Sequence, residues 1–189
     1  MDCCEEIKKD PEVGTRRLVA EYGDRLFGVA RRLGLAEHDA EELVFRTLLR
    51  AVERIESFNG KSSFYTWLYA IMMNFRRMDI RAAKADCALE FVPDVPDCED
   101  ERPDPGEAFA RVVDAEILRK VVDELPQGLR DVVVFRYYED MSMNEIAQVL
   151  SIPSGTVRFR LFRAKKILRD RFAQTFCEVD ASNKLEGLS

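Results

Sequence analysis

Residues 141–168 read MSMNEIAQVLSIPSGTVRFRLFRAKKIL, and this stretch decides the fold of the second half of the chain. Ser142 and Glu145 have the spacing of a capping box, which opens a short helix of eight or nine residues. Ser151-Ile-Pro supplies a tight turn, and a longer helix follows from about Ser154. This is the layout of a helix-turn-helix, in which the second helix can enter the major groove of DNA.

The second helix of this motif is strongly basic. Residues 154–171 include seven Lys or Arg and one acid, a density that attracts phosphates and releases their counterions. Arginine can read guanine edges, and phenylalanine can touch thymine methyl groups. The face predicted to contact duplex DNA consists of Arg158, Phe159, Phe162, Arg163 and Lys166, opposite a buried apolar stripe. The alternative is a solvated basic helix packed in a bundle.

Apolar residues spaced three or four apart indicate further helices from residue 17 onward. Gly34 closes the first of them, because glycine readily takes the left-handed conformation at a helix end. Asp39 and Glu42 resemble a capping box at the start of the second, and acids in a first turn also suit the helix dipole. The apolar stripe of the first helix is Leu18, Tyr22, Leu26, Val29 and Leu33, and that of the second is Ala40, Leu43, Val44, Thr47, Leu48, Ala51, Val52 and Ile55.

A third helix is predicted from about Ser62 or Ser63, either of which can cap it, to about Lys84. It combines apolar, aromatic and basic residues. Its predicted buried stripe is Phe64, Trp67, Leu68, Ile71, Phe75 and Met78. Off that stripe lie Tyr65, Tyr69, Met72 and Met73, followed by Arg76, Arg77, Arg81 and Lys84. Aromatic rings interspersed with basic side chains suit the unstacked nucleobases of a single strand better than a duplex. Such a stripe is more often core, so this signal is weak by itself.

Helical periodicity stops between residues 86 and 107, where four of the seven prolines lie. This segment has nine acids and one base, which is typical of an extended linker. We therefore predict an all-α chain with two small helical domains, the second containing the helix-turn-helix. The predicted boundaries are a tail at 1–14, a domain at 15–85, an acidic, proline-containing linker at 86–111, a domain at 112–176 and a tail at 177–189.

Composition excludes several classes of protein. The net charge of −6, from 29 Lys and Arg against 35 Asp and Glu, argues by itself against nucleic-acid binding. The acids are concentrated in the linker, however, and the two basic helices remain. Five cysteines without a CxxC pair and a single histidine, His38, predict neither a disulfide framework nor a metal site. The absence of a signal peptide or membrane-spanning run predicts a cytoplasmic protein without membrane insertion.

No catalytic constellation or phosphate-binding glycine loop appears, so neither an enzyme nor a cofactor is expected. The motifs taken together resemble the extracytoplasmic-function (ECF) sigma factors of bacterial RNA polymerase. The resemblance rests on DAEELV (39–44), FNGKSSFYTWLYAIMMN (58–74), LPQGLR (125–130), EIA (145–147) and GTVRFRLFRA (155–164). The first two motifs precede the acidic linker and the other three follow it. Because both groups of motifs occur in this order, the resemblance is specific.

The resemblance implies a non-catalytic factor that gives core RNA polymerase its promoter specificity. Docking on the polymerase β′ clamp would use Asp39, Glu42, Leu43 and Val44. Capture of the melted −10 strand would use Asn59, Gly60, Lys61, Ser62 and Ser63, together with Asn74, Arg76, Arg77 and Arg81. The −35 duplex would be read by Arg158, Phe159, Phe162, Arg163 and Lys166. Further partners implied are the polymerase β flap, promoter DNA and an anti-sigma factor.

The sequence departs from the family pattern at four positions. Phe45-Arg46 replaces the usual Gln-Glu beside the clamp residues, Ser151 replaces a turn glycine, and Phe159 replaces a serine on the reading helix. A left-handed backbone at Ser151 would carry strain. Two other interpretations remain: a dimeric helix-turn-helix regulator that acts without polymerase, and a sigma-like decoy that binds polymerase without starting transcription.

Overall fold

A computed structural model describes residues 3–86 and 120–186 of the chain, with side chains described for 3–83 and 120–172. These residues form helices and turns without a strand, which confirms the predicted all-α class. Beyond Asp86, the predicted linker lies outside the described residues. The helices are α1 (Cys3–Lys9), α2 (Pro11–Arg32), α3 (Glu37–Glu53), α4 (Phe64–Asp86), α5 (Gln127–Val133), α6 (Met143–Leu150) and α7 (Ser154–Glu186), with a 3₁₀ turn at Ile55–Ser57, a π-helical segment at Val134–Tyr138 and helical residues at 120–123.

Residues 3–14, which were expected to be a tail, instead form α1 and the first turn of α2. The side chain of Asp10 caps α2 by accepting hydrogen bonds from two backbone N–H groups, at 3.1 and 3.2 Å. Close packing of α1 on α2 depends on Gly14, because a Cβ there would lie 2.4 Å from the Cα of Ile7. A seven-residue helix with three buried side chains shows little periodicity in sequence, which is why it was missed.

The core of the N-terminal half is formed by α2, α3 and α4. The predicted stripe of α2 is buried, and Gly34, with φ of +91°, follows its end as expected. The predicted start of α3 is wrong. This helix begins at Glu37 after Ala36, which makes no side-chain cap, so Asp39 lies inside the first turn.

Helix α4 is buried on more faces than its predicted stripe allows. Tyr69, Met72 and Met73, expected off that stripe, are 2% exposed or less, whereas Met78, expected within it, is 60% exposed. The difference results from tertiary packing on two sides of the helix. One side of α4 packs on α3, and another side packs on α6 from the C-terminal half.

The C-terminal half forms the predicted helix-turn-helix from α6 and α7. The capping box of Ser142 and Glu145 is present at the start of α6. Ser151 ends that helix in the left-handed conformation, with φ of 52° and ψ of 46°, as expected for a position that favours glycine. Helix α7 continues to Glu186, past the predicted domain boundary at residue 176.

Candidate nucleic-acid interface

One face of α7 presents a set of charged and aromatic side chains to solvent. Arg158, Phe162, Arg163 and Lys166 are exposed, and Phe162 reaches 65%. The opposite face, with Val157, Leu161 and Ala164, is buried against α5 and α6. The structure therefore brings together four of the five side chains that the sequence assigned to the −35 duplex.

Phe159, the fifth of these residues, lies differently. It is half-buried, and the guanidinium of Arg163 lies over its ring, with 5.8 Å between the Cζ atom and the ring centroid. This cation–π contact holds the Arg163 guanidinium in place over the Phe159 ring. Phe159 thus supports the reading face, while Phe162 is the aromatic residue that projects from it.

The orientation of α7 depends on the helix before it and on the turn between them. The Ser142 hydroxyl accepts a hydrogen bond from the backbone N–H of Glu145, and the Glu145 carboxylate accepts one from the backbone N–H of Ser142 at 2.9 Å. The bond from the Ser142 N–H, and a second that the Ser142 hydroxyl donates to the same carboxylate at 2.7 Å, lower the pKa of Glu145. After the left-handed Ser151, the N–H of Ile152 donates to Ala147 O at 3.1 Å, which closes the turn.

The loop at residues 59–63 is accessible and locally ordered by its own polar groups. The Asn59 side chain accepts a hydrogen bond from the backbone N–H of Lys61 at 3.1 Å, and Gly60 has a φ of +70°. Ser63 caps α4 through a bond from the N–H of Thr66 at 3.1 Å. Asn59, Gly60, Lys61 and Ser63 are exposed and Ser62 is half-buried, so this loop is open to a ligand.

The basic residues of α4 do not form one accessible surface. Arg76 is 5% exposed and donates to Asp131 Oδ1 at 2.7 Å and to Leu33 O at 2.9 Å. Burial raises the pKa of Asp131, and the Arg76 guanidinium opposes that shift. Asn74 and Arg81 remain exposed. Of the four α4 residues assigned to the melted strand, Arg76 is thus withdrawn into a contact with the other half of the chain.

Arg77 is also engaged by the C-terminal half. Its guanidinium donates to Leu150 O at 2.6 Å and lies 3.4 Å from the Ser151 hydroxyl, at the turn of the helix-turn-helix. It also donates to the Asn74 side chain at 2.6 Å. Burial, together with the nearby positive charge of Arg81, lowers the pKa of Arg77.

A buried carboxylate makes a second polar contact between the halves. The Glu139 side chain, 3% exposed, accepts hydrogen bonds from the Tyr69 hydroxyl at 2.5 Å and from Arg25 Nε at 2.8 Å. Burial and the bond to Glu139 raise the pKa of Tyr69. The Arg25 guanidinium also lies over the Tyr65 ring, 4.1 Å from its centroid. Sequence periodicity carries no signal for a contact between residues so far apart in the chain.

On α3, the residues assigned to polymerase docking split between surface and core. Asp39 and Glu42 are exposed, but Leu43 and Val44 are 1% and 8% exposed and belong to the core. The exposed apolar side chains of this helix are Phe45, at 68%, and Leu49, at 51%. Their spacing of four residues places them on one face of the helix, a signal that the sequence contained.

Within the described ranges, no cluster of three or more His, Cys, Asp or Glu side chains could hold a metal ion. Among the same residues, no helix has the length and apolar character needed to span a membrane.

Both halves of the chain match models of known protein families. Residues 18–85 match sigma-70 region 2, and residues 115–168 match sigma-70 region 4. The ECF RNA polymerase sigma-E factor of Haemophilus influenzae is 29% identical over 175 residues, covering 88% of this chain and 92% of that protein. The ECF RNA polymerase sigma factor SigW of Bacillus subtilis is 28% identical over 173 residues, covering 87% of this chain and 91% of SigW.

Two solved structures share the fold. The sigma factor RpoE of Bartonella quintana, in complex with the anti-sigma factor NepR, has a TM-score of 0.63 at 22% identity, covering 84% of this chain and 96% of that one. CnrH in complex with the cytosolic domain of CnrY has a TM-score of 0.61 at 22% identity, covering 91% and 96%. With both regions matched in order, the chain belongs to the ECF sigma factors of the sigma-70 family, which direct RNA polymerase to specific promoters.

Proposed function

We propose that the two halves of this sigma factor read two promoter elements by different chemistry, the C-terminal half reading the −35 duplex and the N-terminal half capturing the melted −10 strand. The observation that carries the proposal is the exposed face of Arg158, Phe162, Arg163 and Lys166 on a helix-turn-helix scaffold. Arginine forks there can bind guanine edges, and Phe162 can contact a thymine methyl group. Lys166 suits a phosphate contact, which sets position on the duplex without reading sequence.

Capture of the −10 strand is assigned to the loop at 59–63 and to exposed residues of α4. The loop offers amide, hydroxyl and backbone groups that can bind the edge of an unstacked base, and it is open in the structure. Asn74 and Arg81 lie on the exposed side of α4. A nucleobase that leaves the stack can be held by hydrogen bonds to its edge. Basic side chains such as that of Arg81 can bind the phosphates along the strand.

Docking on the polymerase β′ clamp is assigned to the exposed face of α3. Asp39 and Glu42 retain the role given to them by the resemblance, because both are exposed. Leu43 and Val44 support the helix from the core, so the apolar contact passes to Phe45 and Leu49. Exposed aromatic and aliphatic side chains rimmed by charges are typical of a protein-protein interface.

The remaining assignments follow from the family. The chain acts in the cytoplasm, uses no cofactor and carries out no chemistry itself, since the polymerase performs catalysis. The β flap is assigned to the C-terminal half, and an anti-sigma factor is an expected partner, in line with the solved RpoE and NepR complex. We assign the linker to a polymerase channel meant for RNA, where its acidity would let it yield to the transcript.

Transcription in vitro with a cognate core polymerase and a randomised promoter library tests this function. We expect initiation only when the protein is added, from templates that share two separated sequence blocks. No initiation by the folded protein would overturn the proposal, and polymerase binding without initiation would identify a decoy. Binding as a dimer, without core, to a two-fold site with half-sites about 34 Å apart would instead identify a helix-turn-helix regulator.

A further inference from the structure

Helix α1 is held on the N-terminal half by burial and by polar contacts. Its buried side chains, each 6% exposed or less, are Cys3, Cys4 and Ile7. The N–H of Asp10 donates to Glu6 O at 2.8 Å, and the Asp10 carboxylate caps α2. Glu6 also pairs with Arg17 of α2, with 2.9 Å between Oε2 and Nη1. Because a seven-residue helix is not stable alone in water, these contacts determine where α1 lies.

The same helix also contacts the segment that leads into the loop at 59–63. This segment is the 3₁₀ turn Ile55–Ser57, which lies against α1. Lys8 Nζ is 3.6 Å from the Glu56 carboxylate, and Ile55 is buried in the same core cluster as Ile7. Phe58 alone separates the turn from Asn59 in the sequence. The incoming end of the loop is therefore held against α1.

The outgoing end of the loop is held by aromatic contacts with α2. The ring of Phe64, at the start of α4, meets the Tyr22 ring edge to face at 5.2 Å. It also meets the Phe58 ring edge to face at 5.3 Å, so the residues on either side of the loop contact each other. Both ends of the loop are thus fixed by the helices that precede it.

The loop itself contributes little to its own position. The hydrogen bonds described for it join residues no more than four positions apart, among them the bond from Lys61 N–H to the Asn59 side chain. A Cβ at Gly60 would have no described atom within 4 Å. A binding loop of this kind depends on the supporting contacts at its ends for its geometry.

We propose that α1 is a positioning element for this loop: Ile7 docks the helix on α2, Lys8 holds it against the 3₁₀ turn, and the docked helix keeps residues 59–63 in the geometry that captures a −10 base. The proposal rests on the proposed function, because it uses the assignment of this loop to base capture. If docking of α1 tightens base capture by some factor, then base capture tightens docking by the same factor.

The test uses holoenzyme assembled from the full-length chain and cognate core polymerase. The probe is a fluorescein-labelled single strand that carries the downstream block selected from the promoter library. In a matched series of strands, each base of the block in turn is replaced by an abasic site, which removes the base and keeps the phosphates. The ratio of the two dissociation constants, measured by fluorescence anisotropy, reports base capture apart from the attraction of the phosphates.

Gly14→Ala displaces α1, because a Cβ there would lie 2.4 Å from the Cα of Ile7. Gly23→Ala on the same helix is the matched control, since a Cβ there would meet only Val19, at 3.9 Å. In the wild type and the control, we expect the abasic site to weaken binding at least about tenfold at one position. In Gly14→Ala that ratio should fall to about threefold or less. A ratio equal to that of the control would overturn the proposal.

The buried thiols of α1 supply a measurement that a purely structural helix would not change. Cys3 and Cys4 are 1% and 6% exposed, so a maleimide reaches them when α1 undocks. Mass spectrometry follows labelling of the peptide that contains them. At saturation, we expect the intact strand to slow this labelling at least about threefold relative to the abasic strand. Equal rates would mean that docking and base capture are independent, which would also overturn the proposal.

Circular dichroism establishes that each variant is folded. If Gly14→Ala is not, Lys8→Glu sets two carboxylates against each other between α1 and the 3₁₀ turn, at a site open to solvent. The ratio should then fall about twofold, as for an exposed ion pair, and recover when Lys8→Glu is combined with Glu56→Lys, which restores the net charge of the wild type. Absence of the fall or of the recovery would contradict the role of α1.

The wild-type holoenzyme separates failure of this inference from failure of the proposed function. If it initiates from the library and one abasic position weakens binding, but Gly14→Ala behaves like Gly23→Ala, only the role of α1 is wrong. If no abasic position weakens binding, the loop does not capture a base, and both proposals fail at that step.

Discussion

Arg76 and Asp131, 55 positions apart in the sequence, form a buried ion pair with 2.7 Å between Nη1 and Oδ1. This pair joins a residue expected on the strand-binding surface to the half of the chain that reads the duplex. In this arrangement the Arg76 side chain is therefore a structural contact between the two halves.

A double-mutant cycle tests the energetics of this pair. Arg76→Ala and Asp131→Ala should each lower the free energy of unfolding by about 1–3 kcal/mol, because each leaves a buried charge without its partner. Separation of the halves limits the loss, since the orphaned charge can then reach water. Urea unfolding should show that the double variant loses less than the two single variants together. Additive losses would mean that the two side chains do not interact.

Phe45→Ala tests the apolar docking surface on α3. Phe45 is 68% exposed, so its removal should leave stability within about 0.5 kcal/mol of the wild type. Affinity for core polymerase should fall by about 2 kcal/mol, roughly 30-fold, if the ring is a central contact. Val19→Ala on α2, at a site 50% exposed, is the control and should leave affinity unchanged. Equal behaviour of the two variants in a polymerase titration would remove Phe45 from the interface.

Two glycines of α2 should respond oppositely to alanine. A Cβ at Gly14 would lie 2.4 Å from the backbone of Ile7, so Gly14→Ala should force α1 away and cost about 1–3 kcal/mol. A Cβ at Gly23 would meet only a methyl group of Val19, at 3.9 Å, so Gly23→Ala should stabilise the helix by about 0.5–1 kcal/mol. Thermal unfolding of both variants measures the difference. A stable Gly14→Ala protein would contradict the packing of α1.

The capping box of α6 should make stability depend on pH. The bonds from Ser142 lower the folded pKa of Glu145 below its unfolded value of about 4.3, so their contribution is present above that pH and is lost as pH falls through the folded pKa. Glu145→Gln should therefore destabilise the protein at pH 7, with the gap to wild type narrowing near pH 3. Ser142→Ala should cost about 1 kcal/mol at pH 7. A gap that stays constant in urea unfolding across this range would exclude the carboxylate as its source.

Local signals in the sequence predicted much of the fold correctly. The stripe of α2, the left-handed Gly34, the Ser63 cap, the capping box at Ser142 and the strained turn at Ser151 all depend on residues within a few positions of one another. The burial of Val157, Leu161 and Ala164 likewise follows from helical spacing. Such features depend on interactions between residues close together in the chain, and these can be predicted from a single sequence.

The incorrect expectations concern contacts between distant segments. Tyr69 and Met72 were placed outside the core, because nothing in the spacing of α4 reveals that α6 covers its second side. Arg76 was placed on the surface for the same reason, since arginine is rarely buried without a partner and Asp131 is not adjacent in sequence. Phe45 could have been identified, because it shares a helical face with Leu49.

Separate reading of two promoter elements by the two halves is the central claim, and a transcribed promoter library measured with two variants tests it most directly. Arg163→Ala should relax preference at one position of the upstream block by about 1–3 kcal/mol and leave the downstream block unchanged. Asn59→Ala should alter only the downstream block. If both variants changed the same block, or if each lowered initiation equally on all templates, the assignment of the two halves would be contradicted.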